Sequence, residues 1–252
     1  MLEYHSTNGN VFQAFFHGFS TAGKKVPGPK STFGKGKDNM TVLILCTGAP
    51  ETPPTGTLNS AEFAAAWEAA RSGGICPPPT GRKIDPAGRT VWLAEGRPAA
   101  ETAARMLEDC HPVTEALLNE VEVRPFCDTD RQYDVSVWLR KAAGQRRQGD
   151  PRQPESQKQL KERADKLILK LAQDGKDCIL ITGPLFLTEL LDRFRVQNYV
   201  IQRSGIFKVQ PLEKFVISEK EAHCGGCGHN CFLSNPGCGV GREKAQRRKM
   251  RG

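Results

Sequence analysis

Four cysteines lie close together near the end of the chain, in the run HCGGCGHNCFLSNPGCG. They are Cys224, Cys227, Cys231 and Cys238. Cysteine thiolates are ligands for zinc and for iron-sulfur clusters, and a CxxC turn allows two sulfurs to bind one centre. The glycines between these cysteines allow the backbone to fold tightly around such a centre. The spacing therefore predicts a metal site formed by the four cysteines.

The identity of the metal stays open between an iron-sulfur cluster and zinc. Zinc ribbons separate two CxxC pairs by a long loop, which this array lacks. Its compactness is closer to the cysteine runs of ferredoxins, although the CxxCxxCxxxCP pattern is absent. We favour a 4Fe-4S cluster, with zinc as the alternative. Disulfides are less favoured because no clear secretory signal is recognised, and we expect a cytoplasmic, reducing location.

Composition limits the classes of protein to which the chain can belong. It has 252 residues, 38% of them hydrophobic, and a net charge of +8. It contains no apolar run of about eighteen residues, so we expect no membrane span. The basic residues occur in runs without interleaved aromatic side chains, so nucleic acid is not the expected partner. We expect instead a protein or redox partner, which the sequence leaves unidentified.

The chain divides into three parts by composition. Residues 1–39 are rich in Gly, Lys, Ser and Pro and show no sustained periodicity, so we predict a disordered extension. We hypothesise that Met40, just before the first strand, is a natural start. Residues 40–218 have the length and apolar content of one α/β domain. Residues 219–252 hold the cysteine array and a basic tail.

Strands and helices alternate within residues 40–218. Buried strands are predicted at Thr41–Cys46, Thr90–Leu93 and Cys178–Thr182, and two further strands at an edge within 205–218. Helices are predicted over 61–72, 97–110, 157–173 and 185–194, and a surface loop over 144–156. This alternation predicts a three-layer α/β/α sandwich with a mainly parallel sheet.

Cys46 is a candidate for chemistry because of its position. It ends a central strand, where open α/β sheets place their ligand crevice, and a nearby helix N-terminus would favour its thiolate. The alternative is a small buried side chain with no catalytic role, since cysteine is among the most buried residue types. The other single cysteines, Cys76, Cys110, Cys127 and Cys178, are predicted to be core or loop thiols.

The succession of elements from Met40 to Ser218 resembles the histidine phosphatase superfamily, also called the phosphoglycerate mutase-like fold. The segment LILCTGAPE stands where the family's first strand ends in Arg-His-Gly. The segment AEGRPAAETA resembles a later family motif that carries an arginine, here displaced to Arg97. Leu118-Asn119-Glu120 resembles the family's Leu-x-Glu element, whose glutamate is often the acid. Thr182-Gly183-Pro184 stands where the family has Ser-His-Gly.

Both histidines of the family are missing from these positions. The resemblance implies a crevice formed by six residues: Cys46, Thr47, Gly48, Arg97, Glu120 and Gly183. Because loss of the nucleophile in such a site costs about 10⁴ to 10⁶ in rate, we expect no ordinary phosphatase activity. The sequence therefore predicts a binding, redox or regulatory module that carries a metal centre. The alternative is a phosphohydrolase or other enzyme with altered catalytic residues, acting on a phosphorylated small molecule or another anion.

Overall fold

The computed structural model describes residues 40–78, 83–203, 209–219, 233 and 237–249. The predicted N-terminal extension and three of the four array cysteines, Cys224, Cys227 and Cys231, lie outside these residues. The fold and the crevice are therefore described from the central part of the chain.

The described part is a mixed α/β protein built on a six-stranded sheet with strand order β4-β3-β6-β1-β8-β7. The strands are β1 (Thr41–Cys46), β3 (Thr90–Leu93), β4 (Val113–Thr114), β6 (Cys178–Thr182), β7 (Tyr199–Arg203) and β8 (Lys214–Glu219). Strands β4, β3, β6 and β1 are parallel, and β8 runs against its two neighbours. The prediction of an α/β fold with a mainly parallel sheet is confirmed. A two-stranded ribbon pairs β2 (Thr57–Leu58) with β5 (Tyr133–Asp134).

The two central strands, β1 and β6, are continuous apolar runs except for one terminal threonine each. Every residue of β6 is buried, and in β1 the side chains from Ile44 to Cys46 are all buried. Strands that are covered on both faces need this continuous pattern rather than alternation. Their burial is compatible with a layer of helices on each face of the sheet.

The described residues contain six α-helices: α1 (Ser60–Ser72), α2 (Arg97–Met106), α3 (Val135–Gln148), α4 (Gln157–Asp174), α5 (Pro184–Val196) and α6 (Gly239–Lys249). The predictions of α1, α4 and α5 are confirmed to within a few residues. Asn59 caps α1 by accepting a hydrogen bond from the Glu62 backbone N–H, within a capping box. Helix α2 ends at Met106 rather than Cys110, because Leu107 turns extended and forms a bridge with Ile84. None of these helices is long and apolar enough to cross a membrane.

The loop predicted over 144–156 is wrong in its first part, which belongs to α3. The helix has apolar side chains at helical spacing, namely Val135, Trp138, Leu139 and Ala142, all buried. Its polar final turn obscured this periodicity. Gly149, with φ of 72°, ends the helix in the left-handed conformation that glycine adopts readily. The buried face of α3 belongs to a second apolar cluster, where Trp138 stacks on Phe63 with ring centroids 5.3 Å apart.

The two strands expected at an edge within 205–218 are placed differently. The first is β7, which ends at Arg203, before the predicted range. The second, β8, lies between β1 and β7 and not at an edge. Two of its alternate residues, Phe215 and Ile217, are fully buried in the main core, and this packing explains its interior place.

Candidate functional site

The predicted crevice lies where β1 and β6 end side by side. Cys46 is paired with Thr182 in the parallel ladder, and the next backbone N–H, of Thr47, donates to the Thr182 carbonyl at 3.0 Å. Gly183 follows Thr182 and is the N-cap of α5. The sheet therefore brings together Cys46, Thr47 and Gly183, as the sequence predicts for carboxyl ends of neighbouring parallel strands.

The Glu120 side chain lies at the N-terminus of α5, beside the ends of β1 and β6. Its carboxylate accepts hydrogen bonds from the backbone N–H groups of Leu185 at 3.0 Å and Phe186 at 2.8 Å. These are the second and third residues of α5, whose N-cap residue supplies no side-chain cap. A third bond comes from the N–H of Val121 at 2.7 Å. Glu120 therefore acts as the cap of α5 from a distant part of the chain.

The ionisation of Glu120 reflects two opposing influences. Burial of the carboxyl group raises its pKa, while the backbone N–H bonds and the nearby Arg163 lower it. Burial is the larger influence, so the pKa lies above the usual value for glutamate. The Glu120 carboxyl group is held in place by backbone N–H groups and lies at the N-terminus of α5.

Gly183 is required by the position of Glu120. A Cβ atom at residue 183 would lie 2.0 Å from Glu120 Oε2 and 2.5 Å from Cδ. Its φ of −76° and ψ of 164° are open to any residue, so backbone conformation gives no reason for glycine. The close approach of the carboxylate is the physical reason that residue 183 has no side chain.

Cys46 has the environment of a core residue. Its side chain is buried, with 1% relative exposure. Burial raises its pKa well above the ordinary value, and the negative charges of Glu120 and Glu213 raise it further. The thiol therefore stays protonated near neutral pH, which favours the interpretation of Cys46 as a buried apolar side chain. The N-terminus of α5, which was expected to favour a thiolate at Cys46, is capped by Glu120.

Gly48 is held at the outer end of β1. Its N–H donates to Thr102 Oγ1 at 3.0 Å, and the Thr102 hydroxyl donates to the Pro98 carbonyl at 2.7 Å. A Cβ at residue 48 would lie 2.6 Å from Cδ1 of Ile75. The backbone at Gly48 is therefore fixed by a hydrogen bond to Thr102, and Ile75 leaves no room there for a side chain.

Arg97, which was predicted as a crevice residue, belongs instead to an exposed ion-pair cluster. Its Nε lies 2.6 Å from Glu101 Oε1, and its side chain is 61% exposed. Glu101 also pairs with Arg105 at 3.0 Å and accepts the Ile75 backbone N–H at 3.1 Å. These bonds lower the pKa of Glu101, the backbone bond most strongly. Arg97 is therefore engaged by Glu101 on the surface, whereas Glu120 and Gly183 meet at the crevice.

Arg146 is a charged residue near Glu120 that the sequence analysis missed. It is 6% exposed, and its Nε is buried without a hydrogen-bond partner. Burial lowers its pKa, while the charges of Glu120 and Glu155 raise it. A signal was present in the sequence: Arg146 lies four residues after Ala142 on the apolar face of α3. That signal required the helix to be recognised first.

Cys238 is the array cysteine that falls within the described residues. It precedes α6, and its sulfur accepts the Gly241 backbone N–H at 3.1 Å. Hydrogen bonds to cysteine sulfurs are also found around metal-bound thiolates, where they tune the centre. This geometry fits a metal ligand. The described residues contain no group of three or more metal-binding side chains, and the other array cysteines lie outside them.

Comparisons with known proteins leave the family open. No protein-family model matches the chain, and no curated protein matches it in sequence. The resemblance to histidine phosphatases therefore stays a prediction that rests on the motifs and the order of elements. What is established is an α/β protein with a mainly parallel sheet, in which the ends of β1 and β6 lie beside the start of α5, capped by the Glu120 carboxylate.

Proposed function

We propose that this protein is a non-catalytic α/β/α module of the histidine-phosphatase type that binds a metal centre through its C-terminal cysteines. It acts in binding, redox chemistry or regulation in the cytoplasm. The single observation that carries the non-catalytic part is the placement of Glu120 at the N-terminus of α5. An anionic substrate bound at this helix N-terminus would need these same N–H groups, and an internal carboxylate already uses them.

Two further observations support a non-catalytic crevice. Cys46 is buried and protonated, and a protonated thiol is a poor nucleophile. Arg97 pairs with Glu101 at the surface, so its charge is already partly neutralised. Of the residues predicted for the crevice, Cys46 therefore offers no thiolate nucleophile and Arg97 no free positive charge for phosphoryl transfer.

The metal centre is assigned to Cys224, Cys227, Cys231 and Cys238. The fit at Cys238 supports it, because that sulfur accepts a backbone N–H at the start of α6. We favour a 4Fe-4S cluster over zinc because of the compact spacing. Such a cluster supplies one-electron transfer or structural stability. Four protein ligands leave no position for substrate, so Lewis-acid catalysis is not part of this proposal.

The test is metal analysis of protein purified without oxygen. We expect about four irons with sulfide and a broad visible absorption band, both lost in Cys227→Ser. Cys76→Ser is the matched control, because Cys76 is an exposed cysteine outside the array, and it should keep the full metal content. One zinc ion and no visible band would make zinc the metal. Metal-free protein, or equal metal content in both variants, would refute the site.

A phosphatase assay tests the non-catalytic part separately. With p-nitrophenyl phosphate we expect no hydrolysis above that of buffer, with metal bound or removed. Turnover that disappears in Cys46→Ser or Glu120→Gln would refute the proposal and support the enzyme with altered crevice residues. The two assays fail independently, since one reports on the cysteine array and the other on the crevice.

A further inference from the structure

Arg146 has the features of a binding residue without its ligand. Arg146 lies on the inward face of α3, in its last turn, and only 6% of its surface is exposed. Its side chain makes no hydrogen bond and no ion pair within the described residues, and Nε is sealed from solvent. A buried N–H donor without a partner is costly, so proteins normally pair such groups.

The two acidic side chains that act on Arg146 are both bound elsewhere. Glu155 accepts hydrogen bonds from Nε and Nη2 of Arg163, each at 2.8 Å. Glu120 directs its oxygens to the backbone N–H groups at the start of α5. They act on Arg146 electrostatically but are engaged in other hydrogen bonds. The donors of Arg146 therefore remain available for an acceptor that the protein itself does not supply.

The neighbouring residue Arg147 shows what an arginine without this constraint does in the same turn. Its side chain is exposed, and its Nε donates to the Ala143 carbonyl of its own helix at 3.3 Å. Favourable interaction with the C-terminal end of the helix dipole is open to both residues. That interaction explains Arg147 on the surface but gives no reason to bury Arg146.

We propose that Arg146 binds an oxyanion of a small molecule, either a phosphate or a carboxylate group. The guanidinium presents N–H donors in a planar fork that matches two oxygens of such a group. The ligand's charge replaces the missing counter-charge beside Arg146, and its oxygens accept from the fork. This site is separate from the cysteine array and does not depend on the proposed metal centre.

Thermal unfolding and calorimetric titration of the full chain test this site, with inorganic phosphate and acetate as separate probes and sodium chloride as the ionic-strength control. We expect one probe to raise the melting temperature of the wild type and to bind. Arg146→Met should weaken that binding by at least about tenfold, the loss expected for a hydrogen-bonded charge. Arg147→Met, next to it in the same turn, should bind as the wild type does.

Without ligand, Arg146→Met should melt at the same temperature as the wild type or higher, because an apolar side chain replaces an unpaired buried charge. If Arg146 is instead a structural counter-charge for Glu120, Arg146→Met should show a clear loss of stability. If Arg146→Met fails to fold, the binding measurement is made on Arg146→Lys instead. Lysine keeps the charge but not the fork, so a folded variant with weakened binding supports the site. Unchanged binding in either variant, or no response of the wild type to both probes, overturns it.

The two probes also identify the ligand class. A response to phosphate alone assigns a phosphorylated molecule, and a response to acetate alone assigns a carboxylate. Either result leaves the metal analysis unaffected, so failure here is distinguishable from failure of the proposed metal centre.

Discussion

Replacement of Gly183 by alanine should destabilise the protein strongly, although Gly→Ala at an unstrained position normally stabilises. The backbone of Gly183 suits alanine, with φ of −76° and ψ of 164°. The new Cβ, however, would overlap the Glu120 carboxylate, 2.0 Å from Oε2 and 2.5 Å from Cδ. Such contacts are far too close, so the carboxylate must leave its place at the start of α5.

The magnitude follows from the bonds that the movement breaks. Glu120 accepts the N–H groups of Leu185 and Phe186, and hydrogen bonds to a charged group contribute about 1.5–3 kcal/mol each. Loss of both costs about 3–6 kcal/mol, offset by about 0.4–1 kcal/mol from the reduced freedom of the unfolded chain. We therefore expect Gly183→Ala to lower the free energy of unfolding by about 2–5 kcal/mol.

Urea unfolding of a double-mutant cycle with Glu120→Ala is the assay. Because both single variants remove the same bonds, their effects should not add, and the double variant should lose about as much stability as one single variant. Gly144→Ala is the matched control. Gly144 lies within α3, and a Cβ there would meet nothing within 4 Å. This control should gain up to about 1 kcal/mol.

A Gly183→Ala variant within about 0.5 kcal/mol of the wild type would refute the reasoning, because that is the ordinary range for uncoupled surface changes. Additive effects in the double variant would refute it as well. They would mean that Gly183 and Glu120 stabilise the protein independently.

Two further predictions concern ionisable groups of the crevice. Because burial raises the pKa of Glu120, the folded protein holds that proton more tightly than the unfolded chain does. The stability of the wild type relative to Glu120→Gln should therefore fall as pH rises from about 4.3, the unfolded value, through the raised folded pKa. Urea unfolding across this range measures the difference, with Glu122→Gln, at a half-exposed side chain, as control, and a rise would contradict the assignment. For Cys46, iodoacetamide followed by mass spectrometry should leave its thiol unmodified in native protein at neutral pH. The exposed Cys76 should be alkylated, and rapid labelling of Cys46 would mean that its thiol is accessible and ionised.

The sequence was sufficient for those parts of the fold that local patterns determine. Three elements were predicted correctly because each has its signal within a few residues. They are the continuous apolar strands β1 and β6 and the capped helix α1. The same holds for the juxtaposition of Cys46 and Gly183, which follows from two parallel strands ending together. The position of β8 inside the sheet depends on packing across the whole core, and no pattern within residues 205–218 encodes it.

The sequence was insufficient where a residue acts through a distant partner. Glu120 was predicted as a crevice residue, but its hydrogen bonds to α5 join positions 65 and 66 apart in the chain. Arg146 was missed because α3 was missed, and its polar final turn reads as a loop. The glycine at residue 183 reads as a turn residue in sequence, whereas the structure gives it a steric reason that involves Glu120.

Gly183 and Glu120 are sterically coupled, and this coupling limits which side chains residue 183 can carry. If the resemblance holds, residue 183 is where the family places its second histidine. In this chain even one added carbon at that residue would overlap the Glu120 carboxylate, so an imidazole would need Glu120 to move first. Movement of Glu120 would in turn leave the N–H groups of Leu185 and Phe186 without acceptors inside the protein. The absence of a side chain at residue 183 and the capping of α5 by Glu120 are therefore one coupled arrangement, in which a buried carboxyl group occupies the space that a side chain at residue 183 would need.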